Sequence, residues 1–363
     1  MLDEDQSSGQ VDERRSTVRS TGADISAGVS DITTDLEIYN RIVVTGGLGF
    51  VGRHMVSTLA SIGKSVLVLD VARPSDTNRP NVSYCQADIR DMRGVTSELR
   101  AADLVIHLAG NPSGTLSIDR PRFDFETNAE GTFNLCEALA GSSIRRLVYL
   151  STAMVYGVPR TCPVSETHPV GPFLPYAASK LSGEHVVSAF GHALGLPATI
   201  GRAFTVYGAG EDPRRAGGEV SQFLRWHLND LPIRATGDID RKTRDFCAVD
   251  DLVRGLLFLA TRGAEGEVYN LGSGTETSLR ELADVVGAAT GRPAVLDSDE
   301  SITDDTYRMV ADIGKLRDLG YRPTTSLLDG VGRLAERLGD HPELPAVDTI
   351  FQRGQRDTLG AAR

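Results

Sequence analysis

The chain has 363 residues, enough to bury a large core in one or two domains. With 40% hydrophobic and 24% charged residues it has the balance of a water-soluble globular protein. The net charge of −11, from 49 acidic against 38 basic residues, supplies no basic field, so neither nucleic acid nor a membrane surface is expected as a partner.

Residues 1–36 are polar and rich in Ser, Thr and Gly, with no apolar run of secretory or membrane length, and are expected to form a disordered N-terminal extension. Ordered patterning starts at Arg41. Ile42, Val43 and Val44 are a short β-branched run, followed by the turn Thr45-Gly-Gly-Leu-Gly-Phe-Val-Gly52 and helical spacing from Val51 to Ile62. Ser65-Val-Leu-Val-Leu69, Leu104-Val-Ile-His-Leu108 and Arg146-Leu-Val-Tyr-Leu150 read as further buried strands, with helical stretches such as Gly131–Leu139 between them. Short apolar strands alternating with helices predict an α/β fold, a Rossmann-type doubly wound parallel sheet over residues 37–200.

After Gly201 the texture changes. Loops rich in Gly, Pro and charge (208–218, 237–244) separate helices expected over Glu219–Asn229 and Ser278–Ala289. We assign residues 201–338 to a smaller α/β substrate-binding lobe interwoven with the sheet domain, with Trp226 in its core, and residues 339–363 to a polar C-terminal extension. Four cysteines (Cys85, Cys136, Cys162, Cys247) are scattered without a CxxC pair, and the seven histidines show no HExxH spacing. Reduced thiols, no metal and a cytoplasmic location are the expectation.

Two local patterns carry chemistry. Gly46, Gly49 and Gly52 lie between a strand and a helix, where missing side chains let backbone N–H groups at a helix N-terminus reach a pyrophosphate. Asp70 ends the second strand, 18 residues after Gly52, placed to accept from a ribose and to repel a 2′-phosphate, so NAD is favoured over NADP. Asp88 and Ile89 close the next strand-like segment, where they would flank the adenine. His107, in His107-Leu-Ala-Gly110, reads as a buried structural histidine. Tyr176 and Lys180 are the second pattern: four apart on a helix, they share a face. The ammonium is expected to lower the phenol's pKa so that it exchanges protons with a substrate hydroxyl.

In order along residues 41–332, the chain resembles the NAD-dependent nucleotide-sugar epimerase/dehydratase family of extended short-chain dehydrogenases/reductases, UDP-glucose 4-epimerases in particular. The marks after those above are Asn128-Ala-Glu-Gly-Thr-Phe-Asn-Leu135, Ser151-Thr-Ala-Met-Val-Tyr-Gly157, Tyr176-Ala-Ala-Ser-Lys180, Arg202-Ala-Phe-Thr-Val-Tyr-Gly208, Arg244-Asp-Phe246 with Val249-Asp-Asp251, and Tyr269-Asn-Leu-Gly-Ser-Gly274. The resemblance implies Tyr176 as general acid/base, Lys180 as its electrostatic partner and a ribose ligand, and Thr152 as a hydrogen-bond partner of the reacting hydroxyl. It also implies Gly46, Gly49, Phe50, Val51, Gly52, Asp70, Asp88, Ile89, Leu108, Ala109, Gly110, Asn128, Tyr176 and Phe204 as NAD contacts. Arg244 matches an arginine that grips the diphosphate of a nucleotide sugar.

Dehydratases of this family read Ser-Thr-Asp-Glu-Val-Tyr-Gly where this chain has Ala153 and Met154, which move no proton. Epimerisation at C4 of a UDP- or dTDP-hexose, through a transient 4-keto sugar, is the chemistry that remains for Thr152, Tyr176 and Lys180. A 4-ketoreductase using the same residues and a non-catalytic NAD-binding protein are the alternatives. Two departures bear on the substrate: Thr205 stands where the family commonly has Asn, and the loop that often brings an arginine to the diphosphate reads Asp297-Ser-Asp-Glu-Ser-Ile-Thr-Asp-Asp305, leaving Arg308 as the substitute. The acid run reads as a solvated loop, with selection of an amino-bearing sugar as its alternative. A homodimer is implied through helices near 128–140 and 179–193, with Leu181, Val186, Val187 and Phe190 as its apolar stripe or as ordinary core.

Overall fold

β-Branched and leucine runs build the centre of the molecule. In the computed structural model, which describes residues 32–213, 218–301 and 307–345, six strands appear first: β1 (Arg41–Thr45), β2 (Ser65–Asp70), β3 (Val82–Gln86), β4 (Leu104–His107), β5 (Arg146–Thr152) and β6 (Ala198–Ala203). Short strands β7 (Thr205–Tyr207), β8 (Ile233–Thr236), β9 (Thr243–Arg244) and β10 (Phe246–Ala248) follow, and β11 (Val268–Leu271) then returns to the first six. The resulting seven-stranded sheet has the order β11-β6-β5-β4-β1-β2-β3, parallel throughout.

Both faces of that sheet are covered, which is why the middle positions of β1, β2, β4 and β5 are consecutive apolar residues. Val44, Ile106 and Val148 face the helices Phe50–Ser61 and Val249–Arg262, while Val43, Val105 and Leu147 face Gly131–Leu139 and Pro175–Leu194. Strand order reverses between β1 and β4, and the crevice at their carboxyl ends is where this architecture takes ligands. The expected doubly wound sheet is what forms.

The later residues build a second core around Phe223, Leu224, Trp226, Leu282, Val286 and Val331. Around it β7 pairs with β10, β9 lies between β12 (Thr277–Ser278) and β14 (Arg308–Met309), and β8 pairs with β13 (Leu296–Asp299). A capping box of Ser278 with Glu281 starts the helix Leu279–Thr290. Because β6, β11 and the helix Val249–Arg262 belong to the large sheet, the two lobes share chain segments.

Three boundaries differ from the expectation. The N-terminal extension was expected to run to residue 36, but Ile32 and Leu36 are fully buried; residues 1–31 lie outside the described residues. Tyr39 Oη donates to Ala260 O at 2.6 Å and Arg262 pairs with Asp35 at 2.7 Å, so residues 32–39 are moored to the helix Val249–Arg262. At the other end, Pro342 O and Glu343 O accept from Asn229 and Arg225, fastening the start of the expected 339–363 extension to the helix Glu219–Leu228; residues 346–363 lie outside the described residues. Finally, Asp297–Asp299 of the acid run belong to β13, an exposed strand whose polar residues gave no alternation to read, and residues 302–306 are outside the described residues. Among the described residues no helix is long and apolar enough to cross a membrane.

Candidate active site

Backbone proximity shapes the first wall of the crevice. Gly46 leaves β1 with φ +68°, a left-handed conformation that suits glycine. Gly52 sits in the first turn of the helix Phe50–Ser61 so close that a Cβ there would stand 2.1 Å from Gly46 O. The helix therefore starts directly on the turn, and its first N–H groups, which no helix can pair internally, face the crevice. Asp70, ending β2, accepts from Leu48 N at 3.0 Å and from Ala72 N at 2.9 Å, so the carboxylate holds the glycine turn in place. Val51 packs partly buried against the core, and the Phe50 ring meets His54 edge-on with centroids 6.0 Å apart.

Asp88 is forked by Arg90 at 2.6 Å, whose hydrogen bonds hold its carboxyl below the usual range, and Ile89 is buried beneath Gly131. Leu108 and Ala109 follow β4 and donate their N–H groups to Thr45 O and Thr45 Oγ1, both at 3.2 Å, which brings Gly110 alongside the glycine turn. Asn128 enters from a π-helical turn, Glu126–Glu130, wedged between the helices Pro121–Phe125 and Gly131–Leu139. Its Oδ1 accepts from Asn111 N at 2.8 Å. Phe204 is buried and lies 6.4 Å from the Tyr156 ring.

His107 is fully buried and its hydrogen bonds define its tautomer. Thr132 Oγ1 donates to Asn128 O at 2.6 Å, so it accepts from His107 Nε2–H at 3.1 Å. Ala109 N already donates to Thr45 Oγ1, whose own proton goes to His107 Nδ1 at 2.7 Å. Burial pushes the imidazole down to about 3, and a neutral, structural ring is the result.

Thr152 ends β5 and accepts from Met154 N at 3.2 Å, capping the short turn Ala153–Tyr156. Tyr176 and Lys180 lie in the helix Pro175–Leu194, one turn apart as expected. Their electrostatics depart from expectation. Burial pushes the Tyr176 phenol up to about 12, with Thr152 hydrogen bonding opposing it and Asp124 adding to it. Lys180 Nζ instead stands 4.3 Å from the centroid of the Tyr149 ring. Burial brings this ammonium down to about 7, against the raising pull of Glu184 and Asp124. The expected lowering of the phenol is not what this geometry gives: burial disfavours the charged form of both groups, raising Tyr176 and bringing Lys180 down to about 7.

A buried network that the sequence reading missed anchors the helix. Glu184 accepts from Ser151 Oγ at 2.5 Å and pairs with Arg202 at 2.6 Å, tying β5, β6 and the helix together. The signal available was spacing, since Tyr176, Lys180 and Glu184 recur every fourth residue.

Toward the second lobe, Arg244 is only 5% exposed, which excludes a surface role. Its guanidinium lies 4.5 Å from the Tyr307 ring centroid, donates to Thr243 O and Tyr307 O, and meets Glu219 at 3.3 Å. Thr205 begins β7, close to Gly218 at the start of the same helix as Glu219. Arg308 is not brought to Arg244. In register it pairs with Thr243, so it projects from the opposite face of the ribbon, where Glu276 holds it in two 2.6 Å hydrogen bonds. There it lines a cleft of about 500 Å³ with Arg160, Cys162 and Arg241. Among the described residues no group of His, Cys, Asp and Glu could hold a metal ion.

A glycine turn with free helix N–H groups, a carboxylate ending β2 and a buried Asn128 fit a dinucleotide, and the comparisons agree. Residues 42–272 match the profile of the NAD dependent epimerase/dehydratase family. A putative UDP-glucose 4-epimerase of Methanocaldococcus jannaschii is 33% identical over 298 residues, 81% of this chain and 96% of that protein. A dTDP-glucose 4,6-dehydratase of Actinoplanes sp. is 30% identical over 312 residues, 80% of this chain and 95% of that protein. The crystal structure of the Thermus thermophilus UDP-glucose 4-epimerase, a complex with NAD, superposes with a TM-score of 0.72 at 32% identity, covering 82% of this chain and 98% of that one. Its cofactor is NAD, and the chain belongs to the NAD-dependent epimerase/dehydratase family.

Proposed function

We propose that the protein epimerises C4 of a UDP- or dTDP-hexose through a transient 4-keto sugar. The observation that carries this reading is the turn after Thr152: Ala153, 4% exposed, and Met154 occupy it, and neither moves a proton. The buried carboxylates behind the helix are already engaged, Glu184 by Arg202 and Asp124 by three donors. Elimination of water needs an acid for the leaving hydroxyl, and this wall offers none.

The chain's own groups suffice for proton transfer. Tyr176 takes the proton from the 4-hydroxyl and returns it after the sugar has presented its other face. Thr152 orients that hydroxyl, and Lys180 supplies positive charge behind the phenol. NAD, when bound, supplies the hydride acceptor and donor, and as a cation favours ionisation of a phenol near it. Gly46, Gly49, Phe50, Val51, Gly52, Asp70, Asp88, Ile89, Leu108, Ala109, Gly110, Asn128, Lys180 and Phe204 would hold it. Arg244 would take the diphosphate in exchange for Glu219, leaving the sugar free to turn about that anchor, with Thr205 beside it.

Pairing of two copies through the helices after Asn128 and Tyr176 is part of the proposal. Its support is the exposed pair Phe125 and Phe133, the latter stacked edge-on to Phe190 at 5.5 Å. Val187, by contrast, is core. Four free cysteines are consistent with a reducing, cytoplasmic setting.

The test is proton NMR of the purified protein with UDP- and dTDP-hexoses and no added cofactor. C4-inverted sugar without release of NADH is the expected outcome, and Tyr176→Phe should lower turnover about 10²–10⁴-fold while still binding NAD. Turnover only with added reduced cofactor and a keto sugar would make the protein a reductase. Binding of NAD with no turnover of any sugar nucleotide would remove the enzymatic reading.

A further inference from the structure

Asp124 is fully buried in the helix Pro121–Phe125. Its Oδ1 accepts from Asn111 Nδ2 at 2.7 Å and from Asn128 Nδ2 at 3.0 Å, and its Oδ2 accepts from Ser179 Oγ at 2.5 Å. Every donor is neutral, and no cation lies within ion-pair distance among the described residues. A carboxylate so placed keeps its hydrogen bonds but leaves its charge uncompensated in a dry interior, an arrangement that persists only if the charge is used or balanced nearby. The donors come from the segments that build the site. Asn128 stands in the π-helical turn, and Ser179, whose hydroxyl also lies 2.9 Å from Tyr176 O, follows Tyr176 in its helix.

The buried cation this charge can serve is Lys180, 7% exposed: a Cβ built on Gly110 would lie 2.6 Å from Asn128 Oδ1 and 4.0 Å from Lys180 Nζ, so the ammonium borders the amide whose Nδ2 donates to Asp124. Of the two carboxylates that act on it, Glu184 is neutralised by Arg202 and Asp124 is not. The other titratable groups facing the pair are His107 from β4, which is neutral, and Tyr149 from β5, which burial holds neutral as well. Arg120, Arg122 and Glu126 flank Asp124 in sequence, and the ion pair at that end joins Arg122 to Glu126 at the surface.

We propose that Asp124 is a positioning residue: its charge keeps the Lys180 ammonium protonated inside the cleft, while its hydrogen bonds fix the helical turn that carries Tyr176. The inference rests on the reading of Tyr176 and Lys180 as the proton-transfer pair. A buried anion favours the protonated form of both groups. Asp124→Asn preserves shape and can still accept from Asn111 and Asn128, with Ser179 turning to donate to Tyr176 O alone. Removing the charge should therefore move both limbs of the pH–rate profile the same way, to lower pH, by about one unit. Ser179→Ala removes a hydrogen bond but not the charge, and should lower kcat with both limbs in place.

Limbs that stay put in Asp124→Asn, or that move to higher pH, overturn the proposal and leave a merely structural carboxylate. A second arm needs no turnover. In urea unfolding, Asp124→Asn should destabilise the wild-type background more than the Lys180→Met background, and if the single variant does not fold, Lys180→Met should restore folding. Equal destabilisation, or no restoration, refutes the coupling. Absence of turnover in the wild type would instead count against the epimerase reading alone, because this arm would still report on the two charges.

Discussion

Gly52→Ala should cost the protein its hold on NAD. A Cβ at this position would lie 2.1 Å from Gly46 O and 2.7 Å from Gly47 Cα, both backbone atoms that no rotamer change can move aside. Carbon and carbonyl oxygen approach to about 3.3 Å, so the helix Phe50–Ser61 must retreat by about 1.2 Å. It is pinned from behind by Met55, Val56 and Leu59, all buried, so the strain falls on the turn. Overpacking of this kind costs about 1–3 kcal/mol. If about 2 kcal/mol of it is felt by the dinucleotide, affinity falls roughly 30-fold. Calorimetric titration of cofactor-stripped protein with NAD, together with the NAD content of the purified variant, measures this directly. Gly94→Ala is the matched control, since nothing lies within 4 Å of a Cβ there. Binding by Gly52→Ala within twofold of wild type would refute the assignment of this turn to the pyrophosphate.

Two further substitutions probe the interior. Glu184→Gln strips the buried Arg202 of its counter-charge but keeps one acceptor for Ser151, so a loss of about 3 kcal/mol and a fall in Tm on the order of 5 °C are expected. An unchanged Tm would show the network to be inert. His107 predicts an acid sensitivity. An unfolded histidine takes its proton near pH 6.5, whereas the buried ring resists until about 3. The folded value is the depressed one, so its contribution is whole above pH 6.5 and is lost as the pH falls toward 3, with a slope of up to about 1.4 kcal/mol per pH unit. His107→Gln should flatten the stability curve by one proton in that window, and an identical slope in both proteins would contradict it.

What was legible in the sequence is what is local. The glycine turn, Asp70 and the Tyr176–Lys180 spacing are each set by a few consecutive residues, and the sheet follows from strands apolar on both faces. What was not legible depends on partners far along the chain. Asp124 gains its meaning from Ser179, 55 residues away, and Glu184 from Ser151 and Arg202. Ile32 and Leu36 are isolated apolar residues in a polar stretch, and only a helix more than 200 residues later explains them. Where Arg308 sits was not legible because which face of a ribbon a residue takes depends on register, and Thr243 is its neighbour across the ribbon. The upward shift of Tyr176 was missed because a helical pair reveals proximity but not dryness.

The mooring of residues 32–39 and the late arrival of β11 also bear on how the protein is made. As the chain leaves the ribosome, β1 emerges near the start, but the helix that covers it, Val249–Arg262, and the strand that completes the sheet, β11, emerge only after the first half of the second lobe. Until then the outer edge of β6 is unpaired and Ile32, Leu36 and Tyr39 have no surface to settle on. The sheet of the first lobe is therefore incomplete until those later segments are present. A chain interrupted near residue 200 would hold every residue proposed to cradle NAD except Phe204, yet would carry an open strand edge and a bare apolar sheet face, the features that invite aggregation during synthesis.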